Sequence, residues 1–288
     1  MYLLRLFLPT VKIHTWGGLG SQLYALALSI DLDKIVSNRD IQFVIHSSGV
    51  TRRAPEVEIY SDKVKFKDDF STSSKVNFLT LNPFESVKKQ IKVTLIKLGV
   101  YAYCNSDNEV NSLRRWVLAI RGHYTNRTLS SATISKVYSR VKGSDFIFDS
   151  EFTTNSLAIH YRLGDLETLG YKSPIKVERF IGLIKDVMSK NNIEKIFVYS
   201  DSPEIAIKKL KALSPSLNLI QRDLPPIDSV LESSQTTFFI GSNSKLSIWI
   251  TLFRAVQTQS KSSYLPMEMK HMLDRNIGEL SPRQITFY

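Results

Sequence analysis

The sequence predicts an α/β protein of two domains with mostly parallel sheets. Its 288 residues are enough for two domains of ordinary size. In the second half, short apolar runs alternate with helical segments, a pattern typical of parallel sheets covered by helices. The pattern breaks at Gly143-Ser-Asp145, so we place the boundary at residue 150 and predict domains 1–150 and 151–288.

The first half opens with a predicted strand at Val11–Thr15, followed by a glycine loop. A strong helix-forming segment covers Gln22–Ile30, and Ser21 before it is a suitable N-cap. A second strand is predicted at Ile41–His46, and residues 48–82 are polar and irregular. The remaining elements predicted here are strands at Val64–Phe66 and Phe78–Leu81, helices at Ser86–Leu98 and Leu129–Val141, and a mixed segment at Arg114–Ile120.

The second half alternates more clearly between strands and helices, and after residue 258 no further element is predicted. The predicted strands are Leu157–Tyr161, Ile196–Ser200, Asn218–Ile220 and Thr237–Gly241. The predicted helices are Val177–Lys190, Pro203–Leu213, Asp228–Ser234 and Lys245–Thr258.

Composition narrows the class of protein. The single cysteine, Cys104, excludes an internal disulfide and fits a reducing compartment, so we expect a cytoplasmic protein. The five histidines are scattered without metal-ligand spacing, and no apolar run is long enough to span a membrane. The net charge of +11 is concentrated in residues 1–150, which hold 21 Lys and Arg against 13 Asp and Glu. No nucleic-acid-binding motif accompanies this charge, so we expect no nucleic-acid partner.

The predicted helix Ser86–Leu98 is amphipathic and basic, and two interpretations of it stay open. Apolar residues recur along it, with lysines between them, at Val87, Ile91, Leu95, Lys88, Lys89, Lys92 and Lys97. Its apolar face packs on the core in the first interpretation. In the second, the helix lies on an anionic membrane, which would make the protein peripheral at the inner face.

The most informative stretch is Leu157–Leu166, where an apolar strand gives way to a dense polar cluster. The cluster contains His160, Arg162, Gly164 and Asp165. The planar guanidinium of Arg162 is suited to bidentate phosphate binding, and ligands bind at the carboxyl ends of strands in open α/β sheets. The alternative is an Arg162–Asp165 ion pair that caps the strand end.

Three further strand ends carry small polar residues. Gly17-Gly-Leu-Gly20 is either an anion-binding turn before a helix or a purely structural turn. Ser200 and Asp201 end another strand, and either could cap the helix that begins at Pro203. Ser242-Asn-Ser244 ends a third strand and could supply both a helix cap and hydrogen bonds to a phosphate.

In chain order, these blocks resemble the α-1,2-fucosyltransferases and the wider superfamily that shares their His-x-Arg-x-Gly-Asp motif. The resemblance covers most of the chain except residues 48–118. The matching segments are Trp16–Ala25, Ile159–Asp165, Phe197–Asp201, Asp228 with Gly241–Trp249, and a faint match at Ile120–Tyr124.

The resemblance implies a GT-B-like architecture of two facing Rossmann-like domains, the C-terminal one binding a GDP-sugar and the N-terminal one the acceptor. It implies that Arg162 holds the β-phosphate and that Asp228 binds the guanine edge. The other donor-site residues that it implies are Ser242, Asn243, Ser244 and Asp201, with Gly18 and Gly20 lining the cleft. Inverting transfer also needs a base for the acceptor hydroxyl, and Asp165 and His160 are the candidates.

The chain departs from the family pattern at three positions. Leu163 stands where the family has a second arginine, Ser21 replaces an asparagine, and Ile248 replaces a tryptophan. These departures concern the donor sugar and the acceptor more than the reaction class, since Arg162 is retained.

The resemblance therefore predicts an inverting transferase that needs neither metal nor cofactor. It would move fucose from GDP-fucose to a galactose hydroxyl, O2, of a surface glycan or lipid-linked oligosaccharide. The alternatives are the same fold with another nucleotide sugar, and a non-catalytic nucleotide- or glycan-binding relative.

Overall fold

The computed structural model describes residues 10–32, 35–36, 39–47, 64–67, 90–91, 93–143, 155–163, 175–257, 261–277 and 284–288. The chain divides into two compact units, Met1–Leu129 (unit 1) and Ser130–Tyr288 (unit 2). Each is an α/β unit with a parallel sheet, which confirms the predicted fold class.

Unit 1 is built on a five-stranded parallel sheet in the order β3-β2-β1-β5-β4. Residues 90–91 and 93–97 are also helical and precede β4. The named elements are β1 (Val11–Trp16), α1 (Leu19–Leu32), β2 (Ile41–His46), β3 (Val64–Lys67), β4 (Tyr101–Tyr103), α2 (Asp107–Asn111) and β5 (Ala119–Arg121).

The helix α1 is the best-buried element of unit 1. Every one of its residues except Asp31 is buried, which its nearly continuous apolar sequence allows. The helix begins at Leu19, because the backbone NH of Ser21 already donates to the carbonyl of Gly18 at 2.9 Å. Ser21 therefore lies inside the helix and is not the cap that the sequence predicted.

Unit 2 contains a six-stranded parallel sheet in the order β11-β10-β9-β6-β7-β8. Its strands are β6 (Ser156–His160), β7 (Lys195–Tyr199), β8 (Leu219–Arg222), β9 (Phe238–Ile240), β10 (Ser262–Leu265) and β11 (Ile285–Phe287). Its helices are α3 (Ser131–Lys142), α4 (Val177–Lys190), α5 (Pro203–Leu213), α6 (Pro226–Gln235), α7 (Lys245–Gln257), the 3₁₀ turn Met267–Met269 and α8 (Lys270–Ile277).

The structure differs from the predicted elements at the unit boundary and at the C-terminus. The units divide after Leu129 rather than after residue 150, because α3 packs on α6 and α7 of unit 2. Tyr138 of α3 stacks edge-on against Phe253 of α7. Beyond residue 258, where no element was expected, β10 and β11 extend the sheet by two parallel strands. The predicted strand Phe78–Leu81 lies outside the described residues.

A buried arginine fixes α7 against the sheet. The guanidinium of Arg254 donates to the backbone carbonyls of Thr236, Thr237 and Ser262, among other acceptors. Burial lowers the pKa of Arg254 to about 9, and its acceptors replace the water that the side chain loses. These bonds hold α7 beside the amino ends of β9 and β10 and so orient its other end.

Among the described helices, none is long and apolar enough to cross a membrane.

Candidate functional site

Polar residues collect at the carboxyl edge of the unit 2 sheet. The strands β9, β6 and β7 are neighbours and run parallel, so the segments that follow them emerge at the same edge. The predicted site residues on these segments are His160, Arg162, Asp201, Ser242, Asn243 and Ser244. The sequence therefore placed most of its donor-site candidates on one edge of one sheet.

Side chains at the end of β6 alternate between the two faces of the sheet. Leu157, Ile159, Tyr161 and Leu163 belong to one buried apolar cluster with residues of α4 and α5. His160 and Arg162, which alternate with them, point to the opposite side. The departure at Leu163 is thus a packing feature, because this side chain lies in the core and not at the polar edge.

Ser247 in the first turn of α7 connects the ends of β6 and β9. Its hydroxyl accepts a hydrogen bond from the backbone NH of Ser242 at 3.0 Å and lies 2.7 Å from Nδ1 of His160. The hydroxyl of Ser242 in turn accepts from the backbone NH of Arg162 at 3.3 Å. This closed set of bonds fixes the backbone that carries Arg162.

His160 is a buried neutral imidazole. It is 6% exposed, and its burial lowers its pKa to about 4, with Asp201 opposing the shift and Arg162 adding to it. Because His160 is buried and bonded to Ser247, we assign it a positioning role. The predicted role of His160 as acceptor base is less compatible with this burial, because a base must reach the proton that it removes.

Lys245, at the start of α7, is a second cation near Arg162. Ser244 caps this helix, since its hydroxyl accepts from the backbone NH of Leu246 at 3.1 Å. The pKa of Lys245, the first residue of α7, is lowered by burial and then by the charge of Arg162. Two cations therefore lie near one helix N-terminus, where the backbone dipole also favours an anion. Lys245 lies within the Gly241–Trp249 segment, but the sequence alone assigns it no role.

Asp201 binds the backbone rather than capping a helix. Its Oδ1 accepts from the backbone NH of Leu163 at 2.9 Å, which ties the ends of β6 and β7 together. The residue at the N-cap of α5 is Ser202, whose NH donates to the Ser200 hydroxyl at 3.1 Å. The predicted capping by Ser200 or Asp201 is therefore wrong.

Asp228 lies on α6, which follows the carboxyl end of β8. It is partly exposed in the first turn of the helix. One turn later the buried Glu232 accepts two bonds from the guanidinium of Arg222 at 2.6 and 2.7 Å, and a bond from the hydroxyl of Tyr199 at 2.7 Å. This bonding fixes the helix that carries Asp228 to the ends of β7 and β8. The sequence analysis did not identify Glu232, since a lone helical glutamate carries no motif.

The three glycines of the turn in unit 1 have different environments. Gly17 has a φ of +90°, which side chains with a Cβ rarely adopt. A Cβ built on Gly18 would meet no atom within 4 Å, so the backbone there borders open space. Gly20 is buried within α1. Of the two glycines predicted to line a cleft, Gly18 thus has the open environment that close ligand approach requires.

Planar side chains stack at the carboxyl edge of the unit 1 sheet, a feature that the sequence analysis missed. The rings of Trp16 and His46 stack with centroids 4.5 Å apart, and the Arg121 guanidinium lies 4.8 Å from the Trp16 centroid. Nδ1 of His14 and Nε2 of His46 are 2.8 Å apart, within hydrogen-bonding distance. The residues come from three strands, so only their pairing in the sheet brings them together.

Part of the predicted site lies outside the described residues. Gly164 and Asp165 are outside the described part of the chain, so the Arg162–Asp165 pair and the base role of Asp165 stay predictions.

Within the described ranges, no group of three or more His, Cys, Asp or Glu side chains is arranged to hold a metal ion.

No protein-family model and no curated protein matches the chain. Among solved structures, it is similar to the Escherichia coli heptosyltransferase WaaC with ADP-2-deoxy-2-fluoro heptose, at 10% identity over 97% of this chain and 92% of that one, with a TM-score of 0.47. It is similar to MnaA of S. aureus with UDP, at 9% identity over 88% and 79% of the chains, with a TM-score of 0.48. It is also similar to POFUT1 with GDP, at 14% identity over 97% and 98%, with a TM-score of 0.41. These similarities are distant, and none of them assigns a function to the chain.

Proposed function

We propose that the chain is a glycosyltransferase that takes its sugar from a nucleotide-sugar donor, and that this donor is GDP-fucose. The observation that carries the proposal is that the Ser242 hydroxyl binds the backbone NH of Arg162, while Ser244 and Lys245 follow Ser242 at the capped start of α7. A diphosphate matches this position, because it brings the negative charge that two adjacent cations and a helix N-terminus favour. The choice of GDP and fucose rests on the resemblance to the α-1,2-fucosyltransferases.

The proposed reaction is a single displacement with inversion at the sugar. The acceptor hydroxyl oxygen forms a bond to the anomeric carbon, and the bond from that carbon to the β-phosphate oxygen breaks. The electron pair stays on GDP, and the acceptor proton passes to a base. Fixed cations at the β-phosphate stabilise the charge that develops there, which is the largest electrostatic demand of the step. Arg162 and Lys245 supply that charge in place of a metal ion.

The serines of the β9–α7 turn are suited to the same diphosphate. The hydroxyls of Ser242 and Ser244 each accept a hydrogen bond from the backbone, so each still has its own proton to donate. Asn243 between them is exposed, and its amide can donate as well. Asp228 at the start of α6 is our candidate for the guanine edge, since a carboxylate accepts bonds from the ring and amino NH groups of guanine.

The acceptor side of the proposal rests on the resemblance. We propose a galactose hydroxyl of a surface glycan or lipid-linked oligosaccharide as the acceptor, in a GT-B-like arrangement. Asp165 is the proposed base. His160 is proposed to position Arg162 through Ser247 and Ser242.

The experiment that tests the donor site is a thermal-shift panel with GDP, UDP, dTDP and ADP. A ligand that binds only the folded protein raises its melting temperature. We expect GDP to give the largest shift, and we expect Arg162→Ala to lose this shift relative to its own unliganded melting temperature. Equal shifts in the wild type and the variant would refute the site, and a larger shift with another nucleotide would change the donor.

Catalysis is tested separately from binding. We expect GDP to be released slowly from GDP-fucose without an acceptor and faster with galactosides, with a fucosylated product identified by mass spectrometry. A protein that binds GDP but releases none from GDP-fucose under both conditions is the non-catalytic relative, and the proposed reaction would then be wrong.

A further inference from the structure

Unit 1 exposes large apolar side chains on one helical segment and beside it. On the helical residues 90–91 and 93–97 and just after them, Ile91 is 55% exposed, Val93 44%, Ile96 37% and Leu98 56%. Trp116 is 53% exposed and lies next to Leu98, because its indole NH donates to the carbonyl of Leu98 at 2.9 Å. At about 100° per residue, Val93 and Ile96 lie on the same side of the helix and Ile91 on the other side. We call Val93, Ile96, Leu98 and Trp116 the amino-edge patch.

The exposure of Ile91 contradicts one interpretation of the amphipathic helix. A helix that packs its apolar face on the core would bury Ile91 and leave its lysines exposed. Instead Ile91, Val93 and Ile96 are all exposed, and only Leu95 between them is partly buried. Val87, Lys88, Lys89 and Lys92 of the predicted helix lie outside the described residues. Three of the four described apolar residues of the helix thus face solvent.

The position of the patch in the fold is defined by the strands that follow it. Leu98 precedes β4 and Trp116 precedes β5, so both lie at the amino ends of parallel strands. The stacked rings of Trp16 and His46 lie at the carboxyl ends, on the opposite edge of the same sheet. The patch is therefore separate from the polar edge of unit 1.

Cations surround the patch. The Arg114 guanidinium lies 5.3 Å from the centroid of the Trp116 ring, and Arg114, Arg115 and Lys97 are all exposed. Lys12 at the start of β1 is exposed at the same edge, as is one carboxylate, Asp40.

The acidic residues of α2 lie on the opposite edge of the sheet. They are Asp107 and Glu109, in a helix that follows the carboxyl end of β4. Among the described residues, the amino edge is thus both apolar and basic.

We propose that the amino-edge patch docks the protein on an anionic lipid bilayer. The combination of exposed aliphatic side chains with flanking cations matches a membrane interface, where apolar groups enter the acyl boundary and cations contact lipid phosphates. An exposed tryptophan beside an arginine is typical of the interfacial region. The inference goes beyond the proposed function and does not depend on it, because the donor cations belong to unit 2.

Vesicle sedimentation tests the proposal on the full chain. We expect the protein to pellet with vesicles of phosphatidylcholine mixed with phosphatidylglycerol, less with phosphatidylcholine alone, and less as salt is raised. The double variant Val93→Gln/Ile96→Gln should bind about tenfold more weakly, since it removes apolar contact that would enter the bilayer. Lys97→Gln/Arg115→Gln should lose only the preference for the anionic lipid.

A matched control uses exposed apolar residues of unit 2. Ile205 and Leu213 on α5 are 48% and 44% exposed, so Ile205→Gln/Leu213→Gln changes the same surface chemistry elsewhere. This control should bind vesicles like the wild type. If it weakens binding as much as the patch variant, the effect is general surface hydrophobicity and the proposal is overturned.

Tryptophan fluorescence gives an independent readout. Of the three tryptophans, Trp116 is exposed, Trp249 is fully buried, and Trp16 is half-buried at the opposite edge of the sheet. Brominated lipid should therefore quench emission in the wild type and much less in Trp116→Phe. No binding to either vesicle would overturn the proposal. It would also fail if the wild type were a dimer that Val93→Gln/Ile96→Gln dissociates without lipid, because the patch would then be an interface between two copies. Failure of GDP binding would sink the proposed function and leave this inference standing.

Discussion

Lys245 carries the main consequence of the structure at the scale of single residues. Here a cation is partly buried beside Arg162, and burial and repulsion both lower its pKa. Leu163, where the second family arginine is missing, packs in the core. The second positive charge at this edge therefore comes from α7 rather than from β6.

Replacing Lys245 tests whether its charge serves a ligand. We expect Lys245→Met to weaken GDP binding about 10- to 100-fold, the range for a lost hydrogen bond to a charged group. Isothermal titration measures the affinity, and Lys211→Met on the exposed part of α5 is the matched control. An unchanged affinity in Lys245→Met would remove this residue from the site.

Because His160 is buried, we expect the free energy of unfolding to depend on pH. Its pKa is about 4 in the folded protein against 6.5 for a free imidazole, so the unfolded chain takes up a proton that the native state refuses. The stabilisation is present above pH 6.5 and is lost as the pH falls towards 4. Between pH 6.5 and pH 5 the loss is about 2 kcal/mol.

Urea unfolding at the two pH values measures this effect. We expect the wild type to lose about 2 kcal/mol more stability than His160→Asn, since the asparagine does not titrate and the other histidines act equally in both proteins. Identical pH dependence in the two proteins would mean that His160 is not buried in its neutral form.

At the scale of elements, each helix N-terminus near a strand end is set by a different device. The start of α7 is capped by Ser244, and Ser247 behind it connects His160 to Ser242. The start of α1 instead depends on the glycine turn, with Gly17 at positive φ and the carbonyl of Gly18 accepting the first helical bonds. Substitutions should therefore affect the two turns differently: loss of a side-chain hydroxyl matters at α7, and loss of a glycine matters at α1.

Alanine substitutions distinguish backbone strain from open space in the glycine turn. Gly17→Ala should cost about 1–2 kcal/mol of unfolding free energy, because its φ of +90° is unfavourable for a residue with a Cβ. Gly18→Ala should cost less than about 0.5 kcal/mol, because its methyl group meets no atom. Equal costs, measured by urea unfolding, would contradict this description. A drop in turnover for Gly18→Ala without a stability loss would support its predicted role in the cleft.

At the scale of the whole molecule, both units place polar residues at the carboxyl edge of a parallel sheet. Unit 2 gathers Arg162, Lys245 and the serines there, and unit 1 gathers the stacked rings of Trp16 and His46. This agrees with the general position of ligand sites in open α/β sheets. The amino edge of unit 1 carries the apolar and basic surface instead, so the two edges of that sheet differ in chemistry.

The proposed charge balance predicts how the whole protein responds to metal removal. If Arg162 and Lys245 neutralise the leaving diphosphate, GDP release from GDP-fucose should be unchanged after treatment with EDTA. Arg162→Ala should remain impaired when Mg²⁺ or Mn²⁺ is added. Loss of activity in EDTA and its recovery with a divalent ion would show that a metal takes part in the step.

The sequence by itself determined the α/β class, the order of most strands and helices, and the strand ends that carry polar residues. Periodicity and local composition are enough for this, because a buried strand followed by a polar turn is a local pattern. Local sequence patterns did not predict β4, β5, β10 and β11, because these strands are short and are stabilised by their pairing in the sheet. These patterns also failed for the cap of α1, where a carbonyl rather than a side chain begins the helix.

Only the tertiary structure decided which side chains act together. Lys245 and Arg162 are far apart in sequence, as are Trp16, His46 and Arg121, and only the parallel pairing of strands makes them neighbours. Exposure of Ile91 also required the fold, because an amphipathic pattern is the same whether its apolar face meets a core or solvent. Local sequence sets the elements, and the choice of neighbours, which sets charge and burial, belongs to the packing of the sheet.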